Sequence, residues 1–137
     1  LVFDPVQLIN ATSEAQILQQ IVHTGPGDAL IGISFPRYSK KAAKALRYAS
    51  DPGASVIAIT DSTLSPLASC AQQVLLAKSD MVSFVDSLVG PLALINALIV
   101  TVAIKKKDEV AKTLCDLENI WDEYGVYAKG ENKSDDI

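Results

Sequence analysis

The chain has 137 residues, 49% of them hydrophobic, with 12 basic against 16 acidic side chains and a formal net charge of −4. That length suits one ordinary domain with a sizeable core, and the hydrophobic content excludes an intrinsically disordered chain. The acidic balance excludes a broad electrostatic footprint for nucleic acid.

Three further negatives narrow the chemistry. The one dense basic run, Lys105-Lys106-Lys107, is followed at once by Asp108 and Glu109, so it reads as a solvated helix end or interhelical turn. Cys70 and Cys115 have neither close spacing nor nearby histidines and read as free thiols of a reducing, cytoplasmic compartment. His23 is the only histidine and falls at a helix end, which leaves a transition-metal site without support. No Ser-His-Asp or Cys-His arrangement is present, so no catalytic residue and no cofactor is expected.

In chain order, residues 1–3 read as a short strand and Asp4-Pro5 as a loop. Residues 13–23 read as a helix capped by Ser13, with Ile17, Leu18, Ile21 and Val22 as its apolar stripe. Residues 24–28 (TGPGD) form a stop. A buried strand follows over residues 29–33, then a helix over 39–50 with Ala42, Ala43, Leu46 and Ala49 at packing positions. After the turn at 51–54, residues 55–60 form a second buried strand. Ser65 and Pro66 read as a cap and first position of a short helix, and residues 73–77 as a third strand. The loop 78–83 leads into a long helix starting near Phe84, which Pro91 can kink locally. Residues 107–124 read as a final amphipathic helix with Val110, Leu114, Leu117, Ile120 and Trp121 on one side. Residues 129–137 are a polar tail expected to be disordered.

The apolar stretch 88–104 is only 17 residues long and contains Pro91, Asn96 and Thr101. It is short for a bilayer span and reads as a buried helix, so no membrane is expected as a partner. Its lack of a polar face predicts contact with the sheet on one side and with a partner subunit or another domain on the other. Continuous apolar strands alternating with helices predict an α/β fold. The expected sheet is parallel, covered on both faces, with the strands at 29–33, 55–60 and 73–77 adjacent in that order.

The junction at residues 33–40 is the most informative segment. An apolar strand ends at Ser34, a turn carries Pro36, Arg37 and Tyr38, and Ser39 caps the next helix. In an open parallel sheet, ligands sit at the carboxyl end of the strands, and a helix N-terminus offers unpaired N–H groups to an anion. Ser34, Arg37, Tyr38 and Ser39 are therefore candidate ligand contacts. Asp61, which follows the second strand, joins them, with Ser62 as a neighbour of the same kind. Ser83 and Ser87, one helical turn apart, are candidates from the third strand's connection.

The segments ALIGISFPRYSKKAAKALRYASDPGASVIAITDS at 29–62, SPLA at 65–68 and SFVDSLVGPLALINALI at 83–99 resemble the sugar isomerase (SIS) domain. The particular likeness is to the SIS domain of RpiR/MurR-type bacterial transcriptional regulators, and ENIWDEYGVY at 118–127 resembles the end of that domain. The resemblance implies a three-layer α/β/α sandwich over residues 1–128, incomplete at its N-terminus and lacking the first, central strand. It implies a non-catalytic domain that senses a phosphorylated sugar or amino sugar as a homodimer. DNA would be met only through a helix-turn-helix domain absent from this chain. An aldose–ketose sugar-phosphate isomerase and a purely structural dimerisation domain are the alternatives. The family's phosphate loop resembles Ser-x-Ser-Gly-x-Thr: Ser34 and Ser39 match its first and last hydroxyls, while Pro36 and Arg37 stand where serine and glycine would be.

Overall fold

The computed structural model describes residues 6–10, 13–79 and 87–126. It orders α1 (Glu14–Ile21), β1 (Ala29–Ile33), α2 (Lys40–Ser50), β2 (Ser55–Thr60), a short 3-10 turn (Ala68–Cys70), β3 (Gln73–Leu76), α3 (Val89–Lys105) and α4 (Lys107–Tyr124). The fold is α/β/α around a three-stranded parallel sheet of order β1-β2-β3. Ile33 lies opposite Ile59, and Ile57 opposite Gln73. The expected strand order and direction are thus observed. β1 pairs on one side only among the described residues, as a sheet lacking its first central strand would show. Ile31 and Ile33 are about half exposed there, and an apolar groove of about 380 Å³ runs along β1 between Leu8, Ile9, Ile17 and Leu46. The strand expected at residues 1–3, the candidate contact Ser83 and the tail lie outside the described residues.

The chain divides into two compact units, one of residues 7–98 and one of residues 1–6 with 99–137. In the first unit, each of the first two helices begins where its sequence supplies a cap. Ser13 Oγ accepts the Gln16 N–H at 3.2 Å while Gln16 Oε1 accepts the Ser13 N–H at 3.3 Å, a reciprocal capping box. Ser39 Oγ accepts the Ala42 N–H at 3.2 Å and starts α2. α2 buries Ala45, Leu46 and Ala49 against β1 and β2, and Leu46 and Ala49 form a core with Ala54, Val56, Ala58 and Leu67. Gly32 permits this approach: a Cβ there would stand 2.7 Å from a Leu46 methyl carbon. Lys44 Nζ meets Glu14 at 2.8 Å and ties α1 to α2 at the surface, and the hydrogen bond to that ammonium draws the Glu14 pKa below its ordinary value. So exposed a pair adds little stability.

Three expectations need correction. Ser65 and Pro66 do not open an α-helix. Ser65 Oγ accepts the Ala68 N–H at 3.2 Å, but only the 3-10 turn at Ala68–Cys70 follows, because β3 begins three residues later. α3 starts at Val89, since Ser87 and Leu88 are not helical. Pro91 therefore falls in the first turn, where its missing N–H removes no helical hydrogen bond. The strand at 29–33 and the helix over 88–104 are not buried as expected: β1 leaves Ile31 and Ile33 about half exposed, and α3 buries only Pro91.

In the second unit, Lys106 separates the end of α3 from α4, and Gly125, in the left-handed region at φ 59°, closes α4. The lysine run thus marks an interhelical turn, as its composition suggested. No single helix among the described residues is long and apolar enough to cross a membrane.

Candidate functional site

The site is built at the carboxyl edge of the sheet by the parallel register. Because Ile33 pairs with Ile59, Ser34 comes beside Thr60, the last residue of β2, and the Ser34 N–H bonds to the Ile59 carbonyl at 3.1 Å. Asp61, immediately after β2, therefore lies beside the loop that leaves β1. Tyr38 closes the gap: its hydroxyl donates to Asp61 Oδ1 at 2.8 Å, across 23 residues of sequence. Thr60 Oγ1 donates to the same oxygen at 3.3 Å. The Asp61 hydrogen bond, reinforced by desolvation and the carboxylate's charge, raises the Tyr38 pKa and holds the phenol protonated.

Across the turn, Ser34 Oγ accepts the Ser39 N–H at 2.9 Å, so the two hydroxyl residues that bracket the loop are joined. Arg37 adopts φ 70°, the one positive φ at a non-glycine residue among those described. Glycine takes this conformation freely and arginine takes it at a cost of order 1–3 kcal/mol. The loop thus keeps, at Arg37, a backbone shape suited to the glycine of the related motif. Pro36 removes one N–H from the same loop. Lys40 and Lys41 occupy the first turn of α2, adding positive charge where the helix dipole is already positive.

Ser34, Tyr38, Ser39 and Asp61 are therefore brought together by hydrogen bonds along one edge. Arg37 sits within their loop. Ser87 accepts the Val89 N–H at 3.5 Å and shares no hydrogen bond with the group. Ser83 is outside the described residues. Reading the sequence did not find a cleft of about 280 Å³ that begins at Tyr38 and Ser39 and runs between α2 and residues 66–70. Lys40, Lys44 and Arg47 line it, and their i, i+4, i+7 spacing was the available signal. Its far wall, Ser69 and Cys70, comes from a turn that no local pattern connects to α2. Among the described residues, no group of three or more His, Cys, Asp or Glu is placed to hold a metal ion.

Comparison with known proteins bears on the fold that carries this edge. No curated protein matches the chain. The crystal structure of an RpiR transcription factor from Sphaerobacter thermophilus (sugar isomerase domain) is 31% identical, with a TM-score of 0.70 over 74% of this chain and 56% of that one. The Vibrio vulnificus NanR protein complexed with ManNAc-6P shares the fold at 20% identity, with a TM-score of 0.63 over 80% of this chain and 44% of that one. The chain thus spans about half the length of these two relatives. The SIS domain family matches residues 7–101, a stretch that contains β1 to β3 and the whole Ser34–Asp61 edge, and this protein belongs to the SIS domain family.

Proposed function

We propose that this chain is the phosphosugar-sensing effector domain of a bacterial transcriptional regulator of the RpiR type. It acts by binding rather than by catalysis, with DNA contacted by a separate helix-turn-helix domain. The observation that carries the reading is the Ser34–Ser39 loop, closed by the Ser39 N–H bonding to Ser34 Oγ, at the start of a lysine-bearing helix on the carboxyl edge of a parallel sheet. Such an edge favours an anionic group through hydroxyl protons, helix N–H groups and positive charge together. Similarity to a transcription factor's sugar isomerase domain, and the ManNAc-6P complex of NanR on the same fold, support the ligand class. Arg37, and Ser83 and Ser87 from the connection after β3, are proposed to complete the contacts.

Calorimetry against N-acetylmannosamine 6-phosphate, glucosamine 6-phosphate and fructose 6-phosphate tests the reading. Saturable binding of at least one is expected, weakened about tenfold by Ser39→Ala, which removes both a hydroxyl and the helix cap. Absence of binding by every phosphorylated sugar overturns the sensing role.

The working unit is proposed to be a cytoplasmic homodimer formed through α3. Leu88, Leu92, Ile99, Val100 and Ile104 are all more than half exposed on or beside that helix. Leaving so many large aliphatic side chains in water is unfavourable by roughly 25 cal/mol per Å² of apolar surface. A two-fold interface is the commonest way to cover such a face. Ligand occupancy then biases one dimer arrangement over another, provided the two arrangements bind the sugar with different affinity. Sedimentation at micromolar concentration is expected to give a dimer, and a Leu92→Glu, Ile99→Glu variant a monomer. A monomeric parent chain overturns the dimer.

A further inference from the structure

The hydrogen bonds at the carboxyl edge divide it into two poles of opposite character. Ser34 Oγ accepts the Ser39 N–H, and Ser39 Oγ accepts the Ala42 N–H. Each hydroxyl has committed acceptor capacity to the backbone and keeps its own proton, for which the described residues supply no acceptor. This pole offers donors. Beyond β2 the direction reverses. Tyr38 commits its proton to Asp61 Oδ1, and Thr60 Oγ1 donates to that same oxygen. Asp61 Oδ2 receives nothing from the described residues, and the Tyr38 oxygen is left with acceptor capacity only. Asp61 is half-buried, so its carboxylate is only partly screened by water.

We infer that the Tyr38–Asp61 pair is an acceptor pole that selects ligands bearing hydroxyl or amino donors beside a single anionic group, and rejects ligands with a second anion at that end. The inference rests on the phosphosugar reading above and narrows it to monophosphorylated polyols and amino sugars. Asp61 reads the donors through Oδ2. Tyr38 is a positioning residue: by occupying Oδ1 it fixes the carboxylate's rotation and keeps the other oxygen free. A second phosphate placed here meets a carboxylate of its own sign, whereas a hydroxyl or ammonium group meets a charged acceptor.

Calorimetry on the full chain with fructose 6-phosphate, glucosamine 6-phosphate, fructose 1,6-bisphosphate and inorganic phosphate separates the poles. The parent chain is expected to prefer a monophosphate over the bisphosphate by at least tenfold. Asp61→Asn is expected to weaken monophosphate binding about tenfold, to shrink that preference to threefold or less, and to leave inorganic phosphate within twofold. Tyr38→Phe keeps the charge but removes the shorter of the two hydrogen bonds to Oδ1, and is expected to weaken the monophosphate about threefold with inorganic phosphate again unchanged. It carries the test if Asp61→Asn fails to fold. Monophosphate affinity unchanged in Tyr38→Phe, or an unchanged mono-to-bisphosphate ratio in folded Asp61→Asn, overturns the inference while leaving phosphosugar sensing in place. A parent chain that binds none of the sugar phosphates removes both.

Discussion

Leu46→Ala is expected to destabilise the chain by about 2–5 kcal/mol, the range for truncating a fully buried leucine. Leu46 is 1% exposed and sits where α2 crosses β1 and β2. Its buried neighbours are Ala49, Ala54, Val56, Ala58 and Leu67. Most of these are too short to swing into the space a leucine leaves, so the cavity persists and the cost falls toward the upper end. Gly32 supplies a second reading of the same contact. Gly32→Ala alone puts a methyl 2.7–2.9 Å from three Leu46 side-chain atoms and is expected to destabilise by about 1–3 kcal/mol. In the Leu46→Ala background the new methyl enters the vacated space, so the double variant is expected to be more stable than the sum of the two single effects. Urea unfolding of the four proteins of this cycle measures the coupling. Leu64→Ala, at a residue 92% exposed, is the matched control and is expected to change stability by less than about 0.5 kcal/mol. A core variant no worse than the control means that α2 is not seated on the sheet through Leu46.

This contact also shows what a sequence discloses and what it hides. Ser39 before an alanine-rich helix, and Ser13 before an apolar stripe, are local signals, and both caps form. The three strands are short aliphatic runs bounded by turn residues, and their parallel order follows from the helices or turns between them. α4 runs over the residues that its apolar spacing marks and ends at a glycine. By contrast, α3 begins at Val89 and not near Phe84, where the sequence suggested. Residues 88–98 are largely apolar on every side, and the helix begins where Gly90 meets the Lys78 carbonyl, a contact between segments.

The site divides the same way. Ser34 and Ser39 were legible because a strand end and a helix cap lie five residues apart. Tyr38 and Asp61 were each legible as candidates, but not as a pair. Their bond depends on Ser34 and Thr60 being neighbours in the parallel register, which only the folded sheet fixes. Arg37 shows a third case. Its side chain suggests an anion contact, while its φ of 70° shows that the loop keeps a glycine-type backbone shape though glycine is absent. Spacing along the chain determines the elements, and register across the sheet determines which loop residues meet.

Gly90→Ala is expected to destabilise the chain by about 1–3 kcal/mol, against the direction that helix propensity gives. Gly90 is the second residue of α3, and alanine is intrinsically better than glycine in a helix by about 1 kcal/mol. On propensity alone the substitution stabilises. Here, however, a Cβ would stand 2.6 Å from the Lys78 carbonyl oxygen, and that neighbour is backbone rather than the free end of a side chain. Lys78 follows β3 by two residues, so moving its carbonyl displaces the carboxyl end of the strand as well as the first turn of α3. The close approach is what seats the start of α3 beside the same edge of the sheet that carries Ser34 and Asp61. Gly25→Ala separates this effect from a general one. Gly25 has no positive φ, and a Cβ there meets nothing within 4 Å, so that variant is expected to be neutral or slightly stabilising. Thermal unfolding of the two variants beside the parent decides between packing and propensity. A melting temperature for Gly90→Ala at or above the parent's means that propensity prevails and that α3 is not held against the end of β3.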